Sequence, residues 1–233
     1  MNIQTTLKLC SVAALAVALS ACVRVSTDSG DNAAAQADAA AETLQDAAAG
    51  AEPADAFLAR LARHCGQAFE GRIIANEPRS PEPHAFEGKT LVMHVRGCDD
   101  PTRELRVPFH VGDNHSRTWI LTRTDSGLRL KHDHRLEDGS DDPTTMYGGD
   151  TATAGTAQRQ EFPVDQASID TFNARDGLSV SVTNVWAMEI DPGQRFLYEL
   201  SRPQDDLNPQ GRLFQVEFDL TRPVDLPPTP WGY

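Results

Sequence analysis

Apolar and polar residues alternate with a period of two over much of the chain from residue 70 onward. Successive side chains of a β-strand point to opposite faces, so this alternation is typical of strands with one buried and one solvated face. The clearest alternating runs are Leu91–Arg96, Leu105–Val111, Leu128–Glu137, Leu178–Ile190 and Phe214–Leu220. Residues 70–75, 117–124 and 196–200 are predicted as further strands.

The pattern predicts an all-β domain, an antiparallel meander of about eight or nine strands with short connections. A short helix near Pro53, with Phe57, Leu58 and Leu61 on one face, precedes the meander. A helix leading into such a meander resembles the lipocalin and calycin group of barrels, although the Gly-x-Trp signature of that group's first strand is absent. The resemblance implies a closed barrel. A two-sheet β-sandwich is the alternative.

Three stretches lack the alternation of a strand. Residues 140–159 are rich in Gly, Asp and Thr and are predicted to form a long mobile loop. Residues 165–172 are predicted to contain one or two helical turns. The proline-rich tail, residues 222–233, is predicted to be extended and to lie across the domain, with Trp231 and Tyr233 packed over an end of the barrel.

Charge and hydropathy limit the class of protein. The chain has 233 residues, with 34 acidic against 21 basic side chains and a formal net charge of −13. Binding to nucleic-acid phosphates requires clustered Lys and Arg, so this balance argues against a nucleic-acid partner. No apolar run of the sequence reaches the roughly 18–20 residues of a membrane-spanning helix, which argues against an integral helical bundle.

The first 22 residues have the pattern of an export segment. Lys8 is followed by a short apolar core, Leu9–Leu19, and then by small residues. The sequence Leu19-Ser20-Ala21-Cys22 resembles the lipobox of bacterial lipoproteins. That resemblance implies that residues 1–21 are a cleaved signal peptide and that fatty-acyl chains such as palmitate are attached at Cys22. An ordinary secretory signal is the alternative.

The same resemblance implies a location in the cell envelope. In enteric lipoproteins, a residue other than Asp after the cysteine favours the outer membrane, and Val23 stands there in this chain. Residues 22–53 are rich in Ala and acids and have almost no bulky apolar side chain, so they are predicted to be a flexible tether. Residues 54–233 are predicted to form a single β domain.

The remaining cysteines are expected to pair. Cys10 lies in the predicted signal peptide and Cys22 is the predicted lipid attachment site, which leaves Cys65 and Cys98. Two cysteines in an exported protein most simply form one disulfide. Two buried free thiols are the alternative.

His132 and His134 are the main candidates for binding chemistry. On a strand, residues two apart lie on the same face, and here their neighbours on that face are leucines, which places both imidazoles inside. Such a pair can ligate a metal or haem, contact an organic ligand, or hydrogen-bond to buried neighbours such as Asn184. No third metal ligand is evident, because His94 and His110 fall on the polar faces of their strands.

Asn184 interrupts an otherwise apolar face beside Trp186, so both are also predicted to line a ligand cavity. The sequence contains none of the Gly-x-Ser-x-Gly, phosphate-loop, HExxH or SxxK motifs of enzymes. The predicted function is therefore non-catalytic binding of a small apolar ligand by a lipoprotein of the outer membrane. An envelope docking module is the alternative, and a metal or haem protein or an enzyme without these motifs is the third interpretation.

Overall fold

The computed structural model describes residues 52–79, 84–206 and 208–233 of the chain. The predicted signal peptide, Cys22 and all but the last two residues of the predicted tether lie outside these residues. The described elements, in chain order, are α1 (Pro53–Ala62), β1 (Ala68–Glu77), β2 (Leu91–His94), β3 (Glu104–Val111), β4 (Asn114–Thr124), β5 (Gly127–His134), β6 (Tyr147–Asp150), β7 (Arg159–Pro163), α2 (Gln166–Asn173), a 3₁₀-helix (Ser179–Thr183), β8 (Val185–Asp191), β9 (Arg195–Arg202) and β10 (Arg212–Val224).

The strands form one antiparallel sheet of ten strands in the order β6-β5-β4-β3-β2-β1-β10-β9-β8-β7. Strands that are consecutive in the chain are neighbours in the sheet, except β6 and β7, which form its two edges. The pairing of β1 with β10 places the two halves of the meander side by side. The prediction of an all-β antiparallel meander is confirmed, with ten strands where about eight or nine were expected. A single continuous sheet differs from the two-sheet sandwich that was the alternative.

The two edge strands, β6 and β7, approach each other, so the sheet is nearly closed into a barrel. The amide of Asp165, just after β7, donates to the carbonyl of Gly148 in β6 at 2.9 Å. Ser168 Oγ accepts from the Gly148 amide at 2.8 Å and donates to its carbonyl at 3.1 Å. A Cβ atom on Gly149 would lie 1.8 Å from the carbonyl oxygen of Pro163, so this approach requires glycine.

The structure corrects the prediction of a strand over residues 178–184. Ser179–Thr183 form a 3₁₀-helix, and strand β8 begins only at Val185. The Ser181 amide donates to the Leu178 carbonyl at 2.8 Å. Short-range hydrogen bonds of this kind compete with a strand ladder, and the alternation of Ser, Val and Thr fits either conformation.

The prediction of one long loop over residues 140–159 is also wrong in part. It contains β6, Tyr147–Asp150, and the first residue of β7. Strand β6 consists of Tyr, two Gly and Asp, which gives little β-propensity. Neighbouring backbone atoms lie so close to its two glycines that a Cβ atom would clash with them. The composition of the segment does not indicate this close approach. The helical segment predicted within residues 165–172 is present as α2.

Helix α1 closes one end of the barrel. Phe57, Leu58 and Leu61 on its inner face are buried. Asp55 pairs with Arg123 at the end of β4, with Nε and Oδ1 2.6 Å apart. The ion pair places α1 near the β4–β5 turn. The amide of Gly193, in the β8–β9 turn, donates to His64 Nε2 just after α1, so this turn lies at the same end of the barrel. Neither α-helix within the described ranges is long and apolar enough to cross a membrane.

The C-terminal tail lies across the domain, as expected, but Trp231 and Tyr233 pack on the outside of the sheet and not over an end of the barrel. Strand β10 continues to Val224, and the Trp231 amide then donates to the His115 carbonyl in β4 at 3.0 Å. The Tyr233 hydroxyl donates to Oδ2 of Asp133 in β5 at 2.5 Å. The tail therefore crosses the outside of the sheet from β10 to β5.

Cys65 and Cys98 form a disulfide, as predicted, with their Cα atoms 6.2 Å apart. Cys65 follows α1, and Cys98 follows β2. The bond therefore fixes the segment that joins α1 to the sheet.

Replacing both Cys65 and Cys98 by Ser is expected to lower the free energy of unfolding by about 3–4 kcal/mol, because the unfolded chain regains the entropy of a long loop. Urea denaturation followed by circular dichroism measures the change. The parent protein treated with dithiothreitol is the control and should match the double variant. Equal unfolding midpoints for the oxidised parent and the double variant would contradict the prediction.

Candidate functional site

A cavity of about 260 Å³ opens at the end of the barrel opposite α1. The end of β5, strand β6, helix α2, the start of β8 and the junction of β9 and β10 surround it. Its wall is mainly aromatic. The Phe, Tyr and Trp side chains of this wall are Phe86, Tyr147, Phe172, Trp186, Tyr198 and Phe214. Apolar, concave sites of this kind are where proteins bind small molecules.

Strand register and one helix cap bring the aromatic wall together. Trp186 in β8 and Tyr198 in β9 lie on the inner face of their strands and are buried. Helix α2 begins where the side chain of Asp165 accepts a hydrogen bond from the Ser168 amide. The helix places Phe172 against Tyr147 with ring centres 5.4 Å apart. The wall is therefore built by β8, β9, β6 and α2 together.

His132 lies beneath this wall and is only 3% exposed. Its Nε2 accepts from the Tyr198 hydroxyl at 2.9 Å, and its Nδ1–H donates to the Tyr147 carbonyl at 3.2 Å. The ring also stacks on Tyr147 with centres 4.7 Å apart. Burial, and then the neighbouring His134, lower the pKa of His132 to about 3. The imidazole is therefore neutral and fully hydrogen-bonded, but its partners are two tyrosines and not Asn184.

His134 lies at the cavity wall. Its Nε2 and the Tyr147 hydroxyl share a hydrogen bond of 3.1 Å. Burial, and then the guanidinium of Arg117, lower the pKa of His134 to about 4. Burial likewise raises the pKa of Tyr147 to about 12, so both members of this pair are neutral at pH 7. The pair is a polar element in an otherwise aromatic wall.

The arrangement favours hydrogen bonding over metal ligation by the two histidines, since both ring nitrogens of His132 have protein partners. Among the described residues, no three His, Cys, Asp or Glu side chains are grouped so that they could hold a metal ion. His94 and His110 do lie outside the barrel wall, but they are buried, contrary to a solvated polar face. The Nδ1 atoms of His110 and His115 are 2.8 Å apart there.

Asn184 and Trp186 both line the cavity, as the sequence predicts. Asn184 ends the 3₁₀-helix, and its side-chain oxygen accepts a hydrogen bond from Arg202 Nε at 2.6 Å. Three of the four predicted ligand-lining residues thus lie at one cavity, while His132 lies behind its wall. Whether a ligand binds to them remains a prediction.

Sequence reasoning missed Tyr147, Tyr198 and Arg202, which also line the cavity. Tyr147 falls in the segment predicted as a loop. The other two had a usable signal, because Phe196, Tyr198, Leu200 and Arg202 alternate along β9 and so share its inner face.

A larger groove of about 550 Å³ lies on the solvent side of β1 and β10. Four of its charged side chains form two ion pairs within the groove. Arg72 pairs with Glu217 at 2.8 Å, and Arg222 pairs with Asp219 at 2.9 Å. The aromatic cavity is therefore the stronger candidate for a binding site.

Comparison of the chain with protein-family models, with curated proteins and with solved structures gives no match.

The pKa values of His132 and His134 predict a loss of stability in acid. In the unfolded chain these imidazoles bind protons near pH 6.5, but in the folded protein only near pH 3 and pH 4. The unfolded state therefore binds more protons over this interval, so the free energy of unfolding falls as the pH decreases from about 6.5 to about 4. Histidine-ring NMR and urea denaturation over this range provide the measurement. Titration of either ring near pH 6.5 would contradict the assignment.

Proposed function

We propose that the β domain binds a small, largely apolar molecule in the aromatic cavity without catalysing a reaction. The observation that carries the proposal is the cavity itself, with Trp186, Tyr147 and Phe172 on its wall. A folded core would gain free energy by filling such a space with side chains, at about 25 cal/mol per Å² of apolar area. Space that stays open in an otherwise filled barrel is available to a ligand.

The polar groups at the cavity support binding over catalysis. A general acid or base works best with a pKa near the working pH. Burial holds the pKa of His134 at about 4 and raises the pKa of Tyr147 to about 12. Burial also raises the pKa of Tyr198. These groups therefore suit hydrogen bonding to a ligand better than proton transfer.

The volume limits the ligand. About 260 Å³ is below the roughly 300–1,000 Å³ of most small-molecule sites and equals the share of about eight or nine water molecules in the liquid. A short aliphatic chain or a single ring fits this space. A longer molecule would enter with one end only.

The surface offers less support for the alternative of an envelope docking module. Such a module requires a contiguous exposed apolar patch. Among the described residues, the large apolar side chains that are exposed are Ile74, Leu136, Met146, Leu213, Leu226 and Tyr233. Their distribution over β1, the β5–β6 connection, β10 and the tail favours the ligand-binding proposal.

We also propose that this domain is anchored to the outer membrane through Cys22. The support is the sequence Leu19-Ser20-Ala21-Cys22 with the apolar core before it. Each buried CH₂ of an acyl chain contributes about 0.8 kcal/mol to membrane binding, so two or three chains give a durable anchor. The disulfide between Cys65 and Cys98 is consistent with an oxidising compartment outside the cytoplasm.

The cavity is expected to take up 1-hexanol in a saturable manner. Two-dimensional NMR should show concentration-dependent shifts of the Trp186 indole and of residues around it. Leu178→Trp, which places a large ring at the cavity wall, should weaken this binding at least about tenfold, since it occupies the ligand's space. Ser126→Trp, in the exposed β4–β5 turn, is the matched control and should bind like the parent. Equal binding by both variants, or no saturable shift, would refute the proposal.

Cys22→Ser is expected to abolish acylation and to release the protein from the membrane fraction. Labelling with radioactive palmitate in the producing bacterium, followed by detergent phase partitioning, measures both effects. Cys10→Ser, within the predicted signal peptide, is the matched control and should label normally. Palmitate uptake by the Cys22→Ser variant would rule out the anchor.

A further inference from the structure

Three arginines stand at the open end of the barrel, beside the aromatic cavity. Arg117 begins the inner face of β4, Arg202 ends β9 and Arg212 starts β10. All three are partly buried. Within the described part of the chain, none of them has a carboxylate oxygen within 4.0 Å. Eight other arginines do have such a partner; they are Arg72, Arg106, Arg123, Arg129, Arg135, Arg159, Arg195 and Arg222.

Neutral groups hold these three guanidinium groups in place. Arg202 Nε donates to the side-chain oxygen of Asn184 at 2.6 Å. Arg117 Nη1 donates to Asn114 Oδ1 at 2.8 Å, and its guanidinium carbon lies 5.1 Å from the centre of the Phe86 ring. The guanidinium carbon of Arg212 likewise lies 5.3 Å from the centre of the Phe214 ring. Such partners orient a cation but do not neutralise its charge.

Arg202 has unused hydrogen-bonding capacity at the cavity. A guanidinium carries five N–H donors, and in the described structure the only one of Arg202 that bonds is on Nε, to Asn184. Its Nη1 and Nη2 groups are therefore available, and Arg202 lines the cavity. A pair of N–H groups on a guanidinium matches the two oxygens of a carboxylate.

The neighbouring pKa values are consistent with an excess of positive charge at this end. Burial, and then Arg212, lower the pKa of Arg202 and the pKa of His84. Burial lowers the pKa of Arg117, which in turn contributes to the low pKa of His134. Partial burial of unpaired cations costs free energy, and an anionic partner would offset that cost.

The cavity wall itself adds little negative charge. Asp142 is the one carboxylate among the described residues that line it, and one of its oxygens accepts from the Thr144 amide at 2.6 Å. The cavity wall thus holds one guanidinium, that of Arg202, and one carboxylate, and Arg117 and Arg212 stand beside it in a chain whose formal net charge is −13. Outside the wall, Glu77 acts to raise the pKa of Arg212 and Glu87 acts to raise the pKa of His84. The open end of the barrel therefore carries positive charge although the chain as a whole is negatively charged.

We propose that the molecule bound in the cavity is a small carboxylic acid, with its carboxylate held by the free Nη groups of Arg202. Arg117 and Arg212 add long-range attraction from the same end of the barrel. The apolar part of the acid packs against Trp186 and Tyr147. This inference rests on the proposed function, because it names the class of ligand for the same cavity.

The test compares two probes of similar length, hexanoate and 1-hexanol, by NMR titration of the purified protein at pH 7. The parent is expected to bind hexanoate more tightly than 1-hexanol. Arg202→Gln should lower the ratio of hexanoate affinity to 1-hexanol affinity by about 10- to 100-fold. Arg202→Lys, which keeps the charge but not the two parallel donors, should lie between the parent and Arg202→Gln.

Arg72→Gln is the matched control, because it removes the same charge from the solvent side of β1. It should bind both probes as the parent does. If the parent binds 1-hexanol as tightly as hexanoate, or if Arg202→Gln and Arg72→Gln have equal effects, the carboxylate inference fails while the binding function stands. If neither probe binds, the proposed function fails and the inference fails with it. The NMR spectrum of the Arg202→Gln variant without a probe checks that its fold and the surroundings of Trp186 are intact.

Discussion

The hydrogen bond from the Tyr198 hydroxyl to His132 Nε2 joins β9 to β5 across the interior of the barrel. These strands belong to opposite halves of the meander, so the bond ties walls that are far apart in the sheet order. Tyr147 stacks on the same imidazole and accepts from its other nitrogen through the main chain. Because every polar atom of the His132 ring has a partner, the floor of the cavity is a neutral, fixed surface. The aromatic wall above it depends on this arrangement.

Alternation along the sequence is enough to predict an antiparallel meander, since burial of one face leaves little freedom in register, but it does not decide between a barrel and a two-sheet sandwich. It fails where a segment is held by contacts that are remote in sequence. Residues 178–184 alternate like a strand, yet they form a 3₁₀-helix that the Asn208 side chain contacts at the Val180 carbonyl, 3.3 Å away. Strand β6 has the opposite problem. Its glycines suggest a loop, but they are required where Pro163 and Leu130 lie against its backbone.

The candidate site was predictable to a similar degree. His134 and Asn184 are polar residues on otherwise apolar strand faces, and Trp186 lies beside Asn184 on the same face. These features can be recognised in the sequence alone. Tyr147 and Arg202 could not be assigned to the same cavity from the sequence, because their proximity depends on which strand ends meet at the open end of the barrel. The order of the ten strands, with β1 beside β10, is a property of the whole sheet. The local sequence pattern predicts which face of a strand a side chain lies on. The order of the strands in the sheet determines which residues that side chain contacts.

The two ends of the barrel differ in kind, and this difference bears on how a ligand would lie. At one end α1 inserts Phe57, Leu58 and Leu61 and fills the space with apolar side chains. At the other, guanidinium groups surround the opening of an aromatic cavity. A molecule with one apolar and one anionic end therefore has a single favourable orientation, with its apolar end toward Trp186 and its charge toward Arg202. Reversal would bury the carboxylate against neutral rings and leave Arg202 unpaired, and each of these changes carries a desolvation cost.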